Sequence, residues 1–425
     1  MIKVGKRRIL FVPLDWGLGH ATRLVPLIEE AVRCGDEVWI GGNGRSGAWL
    51  KARFPDLTYE VAPEWTLRHR KHLAWDFLRN LFSFGRGLRA DLHWANQTAE
   101  RLGLTHLVSD HRYGLKVDAG KGGVVSVLVL HQAVPALPGI WRWPRWMEAA
   151  SWLLWPWFRR RMRDFDEVWI PDHAEKARAL APALSHFGGL RNLGLPVRYL
   201  GWQSRWSGFG EGGGRLPQAN GEALLVVLSG PEPARSLWEA NLLQQWQDWA
   251  KQEDVGGPAA LWLVRGLPDL AAPPSSSTSL TLAAPLTLAA PLTSAAPLTS
   301  AAPPSSSTSI TSAAPPLAQA RIPTFGYWNS PDDTTLATLM AGAGLIISRP
   351  GYSSLMDYAV WNQSQGRPAL HLCLVPAGGH SEQAYLARKL DREGQAQCQS
   401  EFSLNLRDAW ARRKQTKFTY GIPRP

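Results

Sequence analysis

Cysteine is scarce in this chain. Only Cys34, Cys373 and Cys398 occur in 425 residues, an odd number with no C-x-x-C pair. That excludes a disulfide framework, argues against a zinc site and suits a reducing compartment. No apolar run reaches 18 residues, so no membrane span is expected. The amino-terminal MIKVGKRRILFV carries basic residues before a short core strand and lacks the apolar region and cleavage signal of a secretory leader. The expected location is the cytoplasm. Dense basic runs are missing too: the formal charge of +11 is scattered between apolar elements. It favours anionic partners such as phosphorylated ligands or an acidic membrane surface, and nucleic acid is not expected as one. H-E-x-x-H, G-x-S-x-G and the P-loop pattern are all absent, so neither serine nor metal chemistry is expected, and no cofactor is assigned.

What is present is an alternation of short apolar runs with helix-period segments. The stretch ILFVPLDWGLGHATRL, Ile9 to Leu24, reads as a strand, a glycine turn and a helix starting close to Ala21, with Pro26 tolerated in the first turn. Glu37 to Ile40 follows as a second strand, completing a β-α-β unit and implying a parallel sheet. Further strands are expected at Thr58 to Ala62, Leu104 to Ser109, Val124 to Leu130 and Glu167 to Ile170. Asp110 and His131 would then sit just past strand ends, where open α/β sheets bind ligands. Near Leu195 to Gly201 the chain reaches a strand-poor patch rich in Gly and Trp, Gly201 to Gly214, which is read as the interdomain linker. A second alternation opens with Ala223 to Ser229, a Gly230-Pro231-Glu232-Pro233 loop and a helix from about Ser236; strands follow at Ala260 to Val264, Thr324 to Trp328 and Leu345 to Ser348. Two domains result, 1–200 and 201–425. The second is interrupted by an insert, 271–316, that apart from Ile310 holds only Ala, Pro, Ser, Thr and Leu, and whose prolines recur every six residues. Such a segment can neither hold a helix nor bury a core, so a disordered low-complexity loop is expected.

Three motifs carry possible chemistry. Gly17-Leu18-Gly19-His20-Ala21-Thr22 starts like a dinucleotide fingerprint, but Thr22 replaces the third glycine and no acidic residue closes the second strand. The plain alternative is a reversal of the chain beside a surface histidine. In IISRPGYSSLMDYAVW, Ile346 to Trp361, a strand ends at Ser348, Gly351 turns, and Ser353 or Ser354 starts a helix whose free N–H groups suit a diphosphate, with Asp357 in reach of ribose hydroxyls. Ser354 to Asp357 also fits a capping box, the structural alternative. In VPAGGHSEQAYLA, Val375 to Ala387, Glu382 and Gln383 stand where a third helix begins and suit sugar hydroxyls, against an ordinary solvated helix start.

Together these motifs resemble the GT-B glycosyltransferases of the MurG-type and UDP-glucuronosyltransferase-like group. SDHRYGL at Ser109 to Leu115, LHQA at Leu130 to Ala133, WIPD at Trp169 to Asp172 and LSGPEP at Leu228 to Pro233 resemble an uncharacterised bacterial subgroup of it. The resemblance implies an α/β GT-B fold, two Rossmann-like parallel-sheet domains facing across a cleft, with an acceptor bound by the first and a nucleotide-sugar donor, a UDP-sugar, by the second without a metal. It implies His20 as catalytic base, with Gly17 and Gly19 shaping the acceptor loop. Ser229, Gly230, Gly351, Ser353 and Ser354 would meet the phosphates, Asp357 the ribose, and Glu382 and Gln383 the sugar. Asp357 stands where the group usually has Glu, and Pro350 where it has a small residue. Transfer would be inverting. A nucleotide-sugar epimerase and a non-catalytic nucleotide-sugar-binding protein are the competing readings. The 22 tryptophans outnumber Phe and Tyr together and cluster in Trp141 to Arg163, where Trp, Leu and Arg mix as in interfacial helices. Since related enzymes act on lipid-linked acceptors, a peripheral contact with the inner face of the membrane is expected there, the alternative being a Trp face packed inside the acceptor domain.

Overall fold

A computed structural model describes residues 6–15, 17–64, 73–118, 123–133, 152, 155–207, 221–230, 232–252, 256–265, 324–363 and 369–421. The insert 271–316 and most of 141–154 lie outside the described residues. Thirteen strands in these residues form two parallel sheets. The first holds β1 (Arg8–Val12), β2 (Glu37–Gly42), β3 (Thr58–Val61), β4 (His106–Asp110), β5 (Val125–Val129), β6 (Glu167–Ile170) and β7 (Val197–Tyr199), in the spatial order β3-β2-β1-β4-β5-β6-β7. The second holds β8 (Ala223–Leu228), β9 (Ala260–Arg265), β10 (Thr324–Asn329), β11 (Ala343–Ser348), β12 (Leu372–Leu374) and β13 (Gln397–Cys398), ordered β10-β9-β8-β11-β12-β13.

The strands at the centres of the sheets, β1 from Ile9 on and β8 throughout, are apolar because both faces are covered. In β1, Ile9 and Phe11 pack on one side and Leu10 and Val12 on the other; in β8, Leu224 and Val226 oppose Leu225. Each sheet reverses its winding at one point, between β1 and β4 in the first and between β8 and β11 in the second. Open sheets of this kind bind ligands in the crevice beyond the strand ends at that reversal. The loops at these ends are the ones carrying His20, Asp110, Ser229 with Gly230, and Gly351 to Ser354.

Several expected boundaries move. The single helix from about Ala21 is two, Leu18–Thr22 and Val25–Arg33. Pro26 lacks the N–H that would bond the preceding turn, so the chain breaks at Arg23 and restarts with proline in the first turn. Asp110 is the last residue of β4 rather than the one after it. Residues 197–199, for which no strand is expected, form β7 and pair with β6; three residues carry too little periodicity to be seen. Strand β13 and the Asp333–Gly342 helix were likewise unforeseen. Since β9 pairs in parallel with β10, the span 266–323 that includes the insert is one crossover of the second domain.

The linker is fastened to both domains. Trp202 donates its Nε1 to Asp172 at 3.2 Å, and Ser204 donates its hydroxyl to Asp357 at 2.6 Å. Among the described residues no helix is long and apolar enough to cross a membrane.

Candidate active site

Two glycines place the first loop. Gly17 sits at φ +109°, a conformation side chains rarely adopt. Gly19 leaves no room for a Cβ, which would lie 2.9 Å from Ser353 Oγ. That hydroxyl instead donates to the Gly19 carbonyl at 2.8 Å, so the two domains touch where the Gly17 to Thr22 loop meets the start of the Tyr352–Gln363 helix.

His20 follows immediately, its side chain 12% exposed, with Nδ1 3.0 Å from Asp110 Oδ1. His111 points its own Nδ1 at the same oxygen from 2.9 Å, and its backbone is held at φ +56°, a strained setting that accumulates at functional sites. His131 completes the group, its ring centroid 4.4 Å from that of His111 and 6.0 Å from that of His20. Arg23, fully buried, lies between them: its Nε donates to Asp110 Oδ2 at 2.5 Å, and its terminal nitrogens reach His131 Nδ1 at 2.7 Å and His20 Nδ1 at 2.5 Å. From the second domain Glu382 closes the cluster, Oε2 lying 3.0 Å from His131 Nε2.

The electrostatics follow from burial among these partners. Burial, then the Arg23 guanidinium, pushes His20 down to about 3, so its imidazole is neutral at physiological pH. Burial also lowers His111 and His131. Burial alone would raise Asp110, but Arg23 and the imidazoles outweigh it and hold the carboxyl well below its usual range. Glu382 is raised by burial, against Arg23. His20, Asp110 and His111 are also the one group among the described residues that brings three ligand atoms within 4.8 Å of one another. They do not fit a cation: Arg23 already spends its charge on Asp110 and His20, and an ion there would face the guanidinium.

The second-domain residues divide. Gly351, Ser353 and Ser354 stand at the start of the Tyr352–Gln363 helix, one residue earlier than expected, where the first N–H groups have no partner inside the helix. Ser229 and Gly230 form an exposed turn after β8, Gly230 at φ +116°. There Glu232 accepts from the Ser236 N–H and pairs with Arg235, so a carboxylate already sits at the start of the Ala234–Ala250 helix. The Tyr352 helix is the more open seat for an anion. Gln383 uses its carbonyl to accept from the Ala377 N–H at 2.9 Å, bracing the glycine loop. Asp357 is 5% exposed and accepts from Ser204 and, at 3.1 Å, from Arg205. Its contacts are with the linker, so it reaches a ribose only by exchanging one of them.

Sequence reasoning missed Arg23 and His111. Arg23 had a signal: it is a lone charge among apolar neighbours, three residues after His20, and so on the same side of a helical turn. His111 had none, because its orientation depends on a left-handed backbone setting.

No protein-family model matches the chain, and no curated protein matches it in sequence. Solved structures do match it in fold. CalG4, the calicheamicin glycosyltransferase, superposes with a TM-score of 0.54 at 13% identity over 96% of this chain and 90% of that one. Phytolacca americana UGT2, complexed with UDP-2fluoro-glucose and pterostilbene, gives 0.52 at 12% over 96% and 89%. The glycotransferase of kitacinnamycin gives 0.51 at 12% over 96% and 90%. Two parallel sheets, each wound outward from one reversal point and facing the other across a cleft, match those architectures along nearly their full length: the chain has the GT-B fold.

Proposed function

We propose that this protein is a glycosyltransferase that moves a sugar from a UDP-sugar to an acceptor hydroxyl, with inversion and without a metal. The observation that carries the reading is the meeting of His20, held by Asp110, with the start of the Tyr352–Gln363 helix at the Ser353 to Gly19 bond. A base and an anion seat thus face each other from different domains, as direct displacement requires. The UDP-2fluoro-glucose bound by a similarly folded plant protein supports the choice of donor.

In this mechanism His20 donates Nδ1–H to Asp110 and uses bare Nε2 to take the proton of the acceptor hydroxyl. The oxygen attacks the anomeric carbon, the bond to the diphosphate breaks, and the diphosphate leaves with the electron pair. Direct displacement inverts that carbon. Backbone N–H groups and hydroxyls at Gly351, Ser353 and Ser354, with the Ser229 to Gly230 turn after the neighbouring strand β8, stabilise the growing negative charge. Ser353 must first release the Gly19 carbonyl. Glu382 and Gln383 serve the sugar, Asp357 the ribose, and Gly17 and Gly19 shape the acceptor side.

A panel of nucleotide sugars and free UDP, scored by thermal shift, tests the donor. A true donor at ~100 times its Kd should add about 2.7 kcal/mol to folding. No shift with any of them would remove the reading; an isomerised donor without acceptor would make the protein an epimerase, and binding without transfer or hydrolysis a sensor.

An inner membrane face belongs to the same proposal. Trp152 and Trp157 are 48% and 36% exposed, and Trp157 carries Arg161 over its ring at 5.6 Å. Such a patch is suited to anionic headgroups beside a lipid-linked acceptor. Co-sedimentation with anionic vesicles is expected, and a protein left in the supernatant would rule the contact out.

A further inference from the structure

Two imidazoles stand on one carboxylate oxygen. His20 and His111 both turn Nδ1 to Asp110 Oδ1, at 3.0 and 2.9 Å, and their ring centroids are 5.2 Å apart. An ionised carboxylate only accepts, so His111 donates Nδ1–H to it, and a neutral ring then leaves Nε2 bare. Burial keeps that ring neutral, lowering it from the ordinary histidine value. Nε2 lies on the edge of the ring away from Nδ1, is buried, and has no hydrogen-bond partner among the described residues. The side chain as a whole is 9% exposed. Its surroundings are those of the cleft: the His131 ring centroid is 4.4 Å away, and the Glu382 carboxylate of the second domain is close enough to favour its charged form.

Bracing Asp110 does not by itself call for a histidine. Asparagine would give the carboxylate the same N–H, and it takes the left-handed backbone setting, φ +56°, at no greater cost. What the imidazole adds is a second nitrogen, and a buried acceptor left without a donor costs about 1–3 kcal/mol. We propose that His111 is a second acceptor-binding residue, whose Nε2 accepts from a hydroxyl next to the one that His20 deprotonates, so that the acceptor is a vicinal diol, as in a sugar, rather than an isolated alcohol. The inference rests on the reading of His20 as base. The two rings stand at 69° to each other on a common oxygen, so neighbouring hydroxyls of one small ring can reach one nitrogen each. Both nitrogens accept, and the guest must therefore bring both protons. One passes to His20 as its oxygen attacks the anomeric carbon; the other stays on its own oxygen, shared with His111. That second bond fixes the direction of the attacking oxygen, and an alcohol without it forfeits the bond and the orientation together.

Cyclohexanol and its trans vicinal diol differ by that one hydroxyl. With the UDP-sugar that gives the largest thermal shift, the wild-type protein is expected to favour the diol by about 10-fold or more in kcat/KM, the effect of one hydrogen bond to a buried acceptor. His111→Asn keeps an N–H for Asp110 and suits the backbone setting but lacks Nε2. It should bring the ratio down to about the twofold that two equivalent hydroxyls give by number alone, mostly through the KM of the diol. A wild-type ratio of that size, or a preference unchanged in His111→Asn, overturns the proposal. Nitrogen-15 NMR of the full-length protein labelled at histidine reads the same contact without donor or turnover, the His111 signals being assigned by their loss in His111→Asn. Nδ1 should carry the proton, and the bare Nε2 signal should move on adding the diol and stay in place with cyclohexanol. A proton on Nε2, or a signal indifferent to the diol, overturns the proposal equally. Should the diol move the Nε2 signal while neither probe receives sugar, His111 keeps its role and the case for His20 as base falls; sugar transferred equally to both probes does the reverse.

Discussion

Replacing His20 by alanine is expected to lower sugar transfer, or donor hydrolysis with water as acceptor, by about 10²- to 10⁴-fold, the usual contribution of a positioned acid–base group. Donor affinity should stay near wild type, because His20 lies on the first-domain side and the proposed diphosphate seat on the second. The effect is local for a further reason: His20 is neutral in the folded protein, so its loss strands no buried charge. Single-turnover rates and equilibrium donor binding, measured with the best ligand from the nucleotide-sugar panel, separate the two terms. Turnover within threefold of wild type would end the case for His20 as base. Asp110→Asn is a poorer probe of the same chemistry, because it leaves Arg23, 2% exposed, without its carboxylate and confuses stability with catalysis.

Asp172→Ala is expected to cost about 3–5 kcal/mol of stability with no direct effect on chemistry. The carboxylate is fully buried and accepts from the N–H groups of His173, Leu180 and Ala181, from the Ser185 hydroxyl at 2.6 Å and from Trp202 Nε1 at 3.2 Å. Alanine leaves those donors buried without an acceptor, each a loss of about 1–3 kcal/mol before relaxation, though such losses do not simply add. In a domain of about 200 residues this corresponds to a fall of about 10 °C or more in the unfolding midpoint. Trp202→Phe, which removes one donor and keeps the ring, should cost about 1 kcal/mol. Calorimetry decides: an Asp172→Ala midpoint within 2 °C of wild type would mean that water satisfies these groups and the carboxylate does not organise the loop. Trp202 opens the linker, so the variant should also loosen the hold between domains.

Asp172 shows why motif and role can part. In WIPD it was visible only as part of a resemblance, with no chemistry attached. Its role is structural because five donors, four of them from 173–185 and one from the linker, converge on it, a convergence that requires the folded path of residues 173–202. Asp357 makes the same point from the other side. The pattern gly-turn, serines, carboxylate one helical turn later suits a ribose, yet Ser204 and Arg205, some 150 positions earlier in the chain, approach the same oxygens.

The strand, glycine turn and helix at Ile9 to Leu24, its echo after Ala223, the parallel sheets and the place of the insert all followed from the sequence alone. Each rests on local physics: apolar runs too short for helices, glycines where the backbone must turn, and prolines that bar a helix. The tertiary structure alone decided what surrounds His20. Asp110, Arg23, His111, His131 and Glu382 come from four separate stretches of chain, brought together because parallel sheets place all their strand ends on one edge and two domains bring those edges face to face. No spacing of residues along a chain encodes that convergence, because it is set by the registers of strands and the meeting of domains that are far apart in sequence.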